Sequence, residues 1–332
     1  MPSAPDTPRE SGAMRLPPGW YAVFESREIR PRRPLAAVRF GLDVVAWRDE
    51  RGAVVLQEDR CPHRSARLSL GEVREGGIVC PFHAFRFGPD GTCRHIPELG
   101  HGADGLRVLT FLTREENGLV WAWWGPRASA EGTSPPWFEN IDPRAATHVV
   151  RDEWPTHYTR AVENQLDYAH LPYVHRTTIG RFAKEGAPPP QMRLEDDRIH
   201  FAPGGGETYI EFRFPNLWQN RISPTFSLTL CFVPVDAERT ALILRTHVSS
   251  VTARLPIVGR VFLGLSGVLN RIILDQDRRV VLSQRPLDAM RASDEVLVRS
   301  DAAIRFFRGW MNDRAWSFER SEAAGEAPTP SA

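Results

Sequence analysis

Two short runs in the first quarter of the 332-residue chain, Cys61-Pro62-His63 and Cys80-Pro81-Phe82-His83, carry two thiols and two imidazoles. They read as Cys-x-His and Cys-x-x-His, with sixteen residues between His63 and Cys80. Thiolates suit one iron of a [2Fe–2S] cluster, and neutral imidazoles in place of two cysteines raise the potential of the other. Each run can form a turn that carries its Cys and His to adjacent irons. The competing chemistry is a Cys2His2 zinc site, whose ligand pairs usually hold two or more residues between them. The single residue between Cys61 and His63 disfavours zinc. The two runs speak for electron transfer without saying what the electrons do.

A second group lies in Glu163-Asn164-Gln-Leu-Asp167-Tyr-Ala-His170-Leu-Pro172-Tyr-Val-His175. Read as one helix from Tyr158 to Leu171, it puts Asn164, Asp167 and His170 on a shared face. His170 and His175 diverge on a regular helix, but Pro172 breaks it and lets the imidazoles converge. Two histidines and one carboxylate form the facial triad that binds Fe(II) and leaves positions open for O2 and substrate. Taken alone, the run is as well explained by histidines that cap a helix or bond carbonyls. The carboxylate must come from elsewhere, and Leu274-Asp275-Gln276-Asp277-Arg278-Arg279 offers two. Two residues apart on a helix, Asp275 and Asp277 point nearly oppositely, so only one can face a metal. The bland role for either is a surface ion pair with Arg278 or Arg279.

The elements that must position these groups fall into two textures. Between Trp20 and Gly125, short apolar runs broken by turn signals predict a small β domain: strands at 20–24, 37–40, 44–47 and 54–56, a Gly88-Pro-Asp-Gly91 turn, and a hairpin joining 106–113 to 119–124 around Asn117-Gly118. A Gly/Ala/Ser/Pro stretch follows. Beyond it come the first helix, strands at 209–214, 226–233 and 241–248, and a helical region over 258–279, an α+β pattern. A formal net charge of +1 gives no reason to expect nucleic-acid binding. Cys93 and Cys231 read as reduced thiols of a cytoplasmic protein, and no secretory signal opens the chain. The apolar stretch 255–274 is interrupted by Arg260, Asn270 and Arg271, so it reads as a helix packed in the protein, not an integral span, with membrane-surface contact the lesser reading.

The Cys/His runs, followed by Glu163 to His175 and Arg176-Thr-Thr-Ile-Gly180, resemble the Rieske non-haem iron oxygenases. The likeness is to their α-type subunits, and within them to the pheophorbide a oxygenase-like and vanillate demethylase-like enzymes. It implies an N-terminal all-β Rieske [2Fe–2S] domain (16–126), a linker (127–142) and a C-terminal helix-grip, START-like catalytic domain (143–320), with disordered ends at 1–15 and 321–332. It implies Cys61, His63, Cys80 and His83 as cluster ligands and His170, His175 and Asp277 as ligands of a mononuclear Fe(II). Asp277 is preferred over Asp275 because it aligns with the family's ligand. The position of Asp167 matches a carboxylate that bridges an iron-bound histidine to a Rieske histidine of the neighbouring subunit, which implies a homotrimer; Asn164 matches a position near the iron in part of the family.

The implied activity is hydroxylation or oxidative demethylation of a small aromatic or polycyclic substrate, with aromatic cis-dihydroxylation the other family outcome. Electrons would come from NAD(P)H through a separate ferredoxin or flavin reductase, since no dinucleotide fingerprint is present. Arg64, Arg67, Arg86 and Arg94 around the ligand loops are either a docking patch for that donor or a solvated basic face. Phe212, Phe214, Trp218, Phe226 and Leu228 alternate as strand residues that either line a substrate pocket or fill a plain core. The segment Arg176–Pro190 is either a lid or an ordinary loop. Two rival classes stand beside the enzyme: a Rieske electron-transfer protein with no second iron, and a ligand-binding module with a structural zinc.

Overall fold

Alternating burial along the first hundred residues builds antiparallel sheets, and these carry the two Cys/His loops. The computed structural model describes residues 13–317, apart from 184, 187–189, 203–206 and 251–255, so the expected disordered ends fall largely outside the described residues. Met14, expected in the disordered start, is buried, and its amide donates to the carbonyl of Phe40. Arg15–Leu16 then pairs with Trp316–Ser317.

A four-stranded sheet orders Thr110–Phe111, Val54–Glu58, Leu42–Arg48 and Leu35–Arg39; a three-stranded one orders Thr113–Glu116, Leu119–Trp124 and Gly19–Glu25. A five-stranded sheet runs from His101–Arg107 through Thr92–Ile96, Arg86–Phe87 and Gly77–Val79 to Glu72–Arg74. The single strand expected over 106–113 is divided among all three sheets. The chain turns where the Thr110 hydroxyl donates to the Val108 carbonyl. Gly91 permits that crossing, because a Cβ there would stand 2.3 Å from the Val108 carbonyl oxygen. The hairpin at Asn117-Gly118 has φ of 55° and 69°, both left-handed, which matches the twist of paired strands. Beneath the ligand loops Val45, Trp47, Val55 and Phe87 pack with Cys61 and Cys80 into a small core.

The second half is a seven-stranded antiparallel sheet in the order Ala146–Trp154, Arg239–Val248, Phe226–Asp236, Leu217–Ser223, Tyr209–Arg213, Arg198–Ala202, Gln191–Glu195. Four helices accompany it: α1 (Tyr158–Leu166), α2 (Leu171–Val174), α3 (Pro256–Val281) and α4 (Ala302–Arg314). Register sorts the faces. Phe212, Trp218, Leu230, Leu244 and Val150 stand in one row, and Phe212 meets Phe307 of α4 edge-on at 5.9 Å. The adjacent row, Glu211, Gln219, Thr229 and Arg245, turns to the N-terminal half. There Arg245 donates to Glu25 (2.7 Å) and to the carbonyls of Asn117 and Gly118. Glu25, 2% exposed, also pairs with Arg27 and Arg151, so one buried carboxylate ties the two halves together.

Two open alternatives narrow here. Phe212 and Phe214 do not line a pocket: Phe214 stacks on Trp310 at 4.0 Å, and α4 fills that end of the concave face. Helix α3 is packed along one seam only. Leu263, Gly267, Asn270 and Leu274 are buried, while Leu265 and Val261 on the opposite side are exposed.

Candidate metal centres

Cys61 and Cys80 open two loops with one backbone pattern. In the first, the Cys61 amide donates to the Ala66 carbonyl and Ser65 donates back to Cys61 (2.8 Å each). In the second, the Cys80 amide donates to Phe85 (2.8 Å) and Ala84 to Cys80 (3.0 Å). The fifth residue of each, Ser65 and Ala84, has φ near +58°. Such non-glycine residues sit there at a cost of about 1–2 kcal/mol, offset by the bonds that close the turns. The loops are therefore two copies of one turn, offset by one residue in where the histidine sits.

Both cysteines are buried, whereas His63 is exposed and His83 half-buried. The imidazole rings lie 4.9 Å apart, and His63 stacks on Phe85 at 4.6 Å. Burial pushes the Cys61 thiol up to about 11; the amides of His63 and Arg64 pull the other way, and the Cys80 thiol alongside adds to the rise. A thiol so reluctant to ionise alone is suited to a cationic partner. The buried Nδ1 of His83 has no hydrogen-bond partner. Two sulfurs below and two imidazoles at the rim fit a [2Fe–2S] cluster.

The second site departs from the expected helix. Helix α1 ends at Leu166, not Leu171, because Asp167 turns extended (φ −86°, ψ 120°) and its Oδ1 accepts from the Ala169 amide at 2.7 Å. Asn164, Asp167 and His170 consequently do not share one helix face. His170 precedes α2 and His175 ends it, with Pro172 in its first turn, and the rings come within 5.2 Å. Asp277 of α3, 1% exposed, meets them, with Oδ1 2.9 Å from His175 Nε2 and 3.5 Å from His170 Nε2. Asp275 points to solvent. One ligand atom from each of His170, His175 and Asp277 lies within 4.8 Å of the other two.

The hydrogen bonds around this trio leave its centre bare. Gln165 donates to Asp277 Oδ2 at 3.2 Å, yet Asp277 Oδ1 receives no well-directed hydrogen bond. On the far side of His175, Nδ1 lies 2.8 Å from Gln276 Oε1, which also accepts from Thr178 (2.8 Å), while the Gln276 amide nitrogen donates to Thr177 (3.0 Å). An amide so placed accepts the Nδ1 proton and leaves the Nε2 lone pair facing Asp277. Two lone pairs 2.9 Å apart repel unless a cation sits between them. With no metal between them, burial disfavours charge on Asp277, but hydrogen bonding and charge from His170 and His175 in their protonated forms outweigh it, holding the carboxyl down to about 2. Burial also opposes charge on His170, and its contacts with Asp167 and Asp277 overcome it, lifting the imidazole to about 9. This donor set calls for a positive charge and fits a divalent iron.

Asp167 Oδ2 stands 3.5 Å from His170 Nδ1, and its side chain is partly exposed. Asn164 presents a buried Nδ2 with no hydrogen-bond partner. Gln165 and Gln276 escaped the sequence reading; for Gln276 the available signal was an amide between the two candidate carboxylates Asp275 and Asp277. Of the four arginines near the loops, Arg67 pairs with Asp43, Arg86 with Glu75 and Arg94 with Asp90, while Arg64 lies over the Phe82 ring. In the segment after His175, Gly180 packs on α2 so closely that a Cβ would stand 2.0 Å from the Leu171 carbonyl oxygen.

A model of the Rieske [2Fe–2S] domain matches residues 19–111, which include both Cys/His loops. The model of the vanillate O-demethylase oxygenase C-terminal domain matches residues 154–211, which include Asn164, Asp167, His170 and His175. Protein TIC 55, chloroplastic, of Arabidopsis thaliana is 28% identical over 328 residues, covering 88% of this chain and 59% of that protein. Aminopyrrolnitrin oxygenase PrnD of Pseudomonas fluorescens is 33% identical over 203 residues, 57% of this chain and 53% of that protein. The chain spans about half the length of the curated relatives it matches. Among solved structures, Pseudomonas putida CBB5 NdmA superposes with a TM-score of 0.76 over 88% of both chains at 24% identity, which establishes the shared fold.

Proposed function

From a chain built as the Rieske non-haem iron oxygenases are, with a Rieske [2Fe–2S] domain followed by a vanillate O-demethylase-type domain, we propose an oxygenase component that hydroxylates or oxidatively demethylates a small aromatic or polycyclic molecule. The observation that carries the proposal is the bare, buried meeting point of His170, His175 and Asp277. These three would hold Fe(II), and Cys61, His63, Cys80 and His83 the cluster. When bound, the cluster supplies electrons singly and the Fe(II) supplies a site for O2 activation.

The protein's own groups do the rest. Gln276 keeps the proton of His175 on Nδ1, and Gln165 fixes the Asp277 carboxylate through Oδ2. Asp167 Oδ2 stands 3.5 Å from His170 Nδ1, and its partly exposed carboxylate is placed to accept an imidazole N–H from a neighbouring subunit. That role assigns a head-to-tail homotrimer, with His63 exposed at the loop rim as the incoming group. Asn164 offers its free buried amide N–H to substrate. The net reaction joins one oxygen atom of O2 to a C–H bond and reduces the other to water with two electrons and two protons. On an O- or N-methyl group the resulting alcohol breaks down to formaldehyde. The electrons come from NAD(P)H through a separate reductase or ferredoxin. All four cysteines are free and buried, in keeping with a cytoplasmic setting.

Oxygen consumption with a surrogate reductase, across a panel of aromatic and polycyclic compounds, tests the proposal. His170→Ala is expected to abolish product while the visible spectrum of the cluster persists. Retained turnover in that variant refutes the assignment.

A further inference from the structure

We propose that the outer face of α3 is a docking surface for an anionic lipid bilayer, on which the helix lies in the headgroup plane. Helix α3 is held to the sheet along one seam. His148 lies so close to Gly267 that a Cβ there would stand 2.3 Å from its Nε2, and Asn270 Nδ2 donates to Thr246 Oγ1 at 3.0 Å. By length and composition the helix could cross a bilayer. Fixed along this seam, with a buried amide in it, α3 presents only one side to lipid.

That side is apolar without interruption from Ile257 to Ile272. At about 3.6 residues per turn, Ile257, Val261, Leu265, Leu269 and Ile272 fall on the half of the cylinder opposite the seam, each between 46% and 78% exposed. Phe262 adds an exposed ring at 47%. The strip is about 24 Å long at about 1.5 Å per residue. A helix apolar on two opposite sides is covered on both. Residues 1–12 and 318–332 carry Met1 and Phe318 among small and polar residues.

Charge decides between a symmetric pairing of two α3 helices and a bilayer. Between Pro256 and Leu274 the only ionisable side chains are Arg260 and Arg271, both exposed and on one flank of the helix. An antiparallel pairing of two α3 helices about Leu265 sets Arg260 of each copy near Arg271 of the other, with no carboxylate in that stretch to separate them. The same two guanidinium groups beside an apolar strip match an anionic lipid surface, where acyl-chain contact and headgroup charge act together. This inference does not depend on the oxygenase reading.

Cosedimentation of the full-length, cluster-containing protein with phosphatidylglycerol/phosphatidylcholine vesicles, against phosphatidylcholine alone, is the test. Expected are binding to the anionic vesicles, a partition coefficient lowered by at least about tenfold in Val261→Ser/Leu265→Ser/Leu269→Ser, and weaker binding in Arg260→Gln/Arg271→Gln and in high salt. An unchanged cluster spectrum certifies the triple variant; if that spectrum is lost, Leu265→Asn alone carries the comparison. No vesicle binding by the unaltered protein, or binding indifferent to these changes, overturns the proposal. So does light scattering that shows an oligomer dissolved by the triple variant with no vesicle association, which assigns the face to a second copy.

Discussion

Gln276→Leu removes the acceptor of His175 Nδ1 while keeping the side chain's approximate volume, so it isolates one hydrogen bond. His175 is 1% exposed, so its Nδ1 donor is a buried one whose contact at 2.8 Å is lost. Leaving a buried donor unmade costs about 1–3 kcal/mol. The metal-free variant has an escape: its proton moves to Nε2, which then donates across 2.9 Å to Asp277 Oδ1. Metal binding must undo that bond, so the whole penalty falls on the metal-bound state. At about 1.4 kcal/mol per tenfold, the range corresponds to roughly 5- to 150-fold weaker binding. This brackets the loss of roughly 10- to 100-fold typical for partners of metal-bound histidines. Anaerobic competition for Fe(II) against a chelator reads it, with the cluster's visible spectrum as an internal standard. Gln276→Glu keeps an acceptor oxygen and is expected to retain affinity. An Fe(II) affinity within about twofold of the unaltered protein in Gln276→Leu would refute the tautomer argument.

Other outcomes follow from groups away from the ligands. Arg245→Met leaves Glu25 buried with Arg27 and Arg151 only and strips the Asn117 and Gly118 carbonyls of their donor; urea unfolding should show a loss of about 3 kcal/mol, and a change under about 1 kcal/mol contradicts the tie between the halves. His247 is held down to about 4 by burial first and the charge of Arg245 second, below its ordinary 6.5. Its neutral form is the folded form, so stability is full above pH 6.5 and falls as the pH drops toward 4. A loss of roughly 2 kcal/mol between pH 7 and pH 5 is expected, and His247→Gln should flatten that part of the profile; parallel profiles for the two proteins contradict it. Gly180→Ala should push the segment after His175 away from the Leu171 carbonyl of α2 and weaken Fe(II) binding with the cluster spectrum intact, and unchanged iron affinity argues that this segment is independent of His175.

What could be read in advance was chemistry held on short turns. The spacing of Cys61, His63, Cys80 and His83 needs only two local loops, so it survives without knowledge of the tertiary structure. The opposition of Asp275 and Asp277 also needs only helix phase, and the structure buries one and exposes the other. Prediction failed where distant parts compete. Asp167 leaves α1 through a local bond to Ala169 that the helical spacing masked, whereas nothing local says that Ala302–Arg314 will form a helix that occupies Phe212 and Phe214. The strands Gln191–Glu195 and Arg198–Ala202 end the sheet, and the outermost is mostly exposed, so its polar residues hide the alternation that marks a buried strand. Gln276 was invisible for a related reason: an amide becomes an imidazole's partner only once α2 lies beside α3.

Iron content per chain, measured anaerobically after reconstitution in the unaltered protein, Asp277→Asn and Asp275→Asn, tests the central claim most directly. The account predicts three irons in the unaltered protein and in Asp275→Asn, and two, with the cluster's spectrum unchanged, in Asp277→Asn. Two irons in the unaltered protein, or three retained in Asp277→Asn, would contradict it.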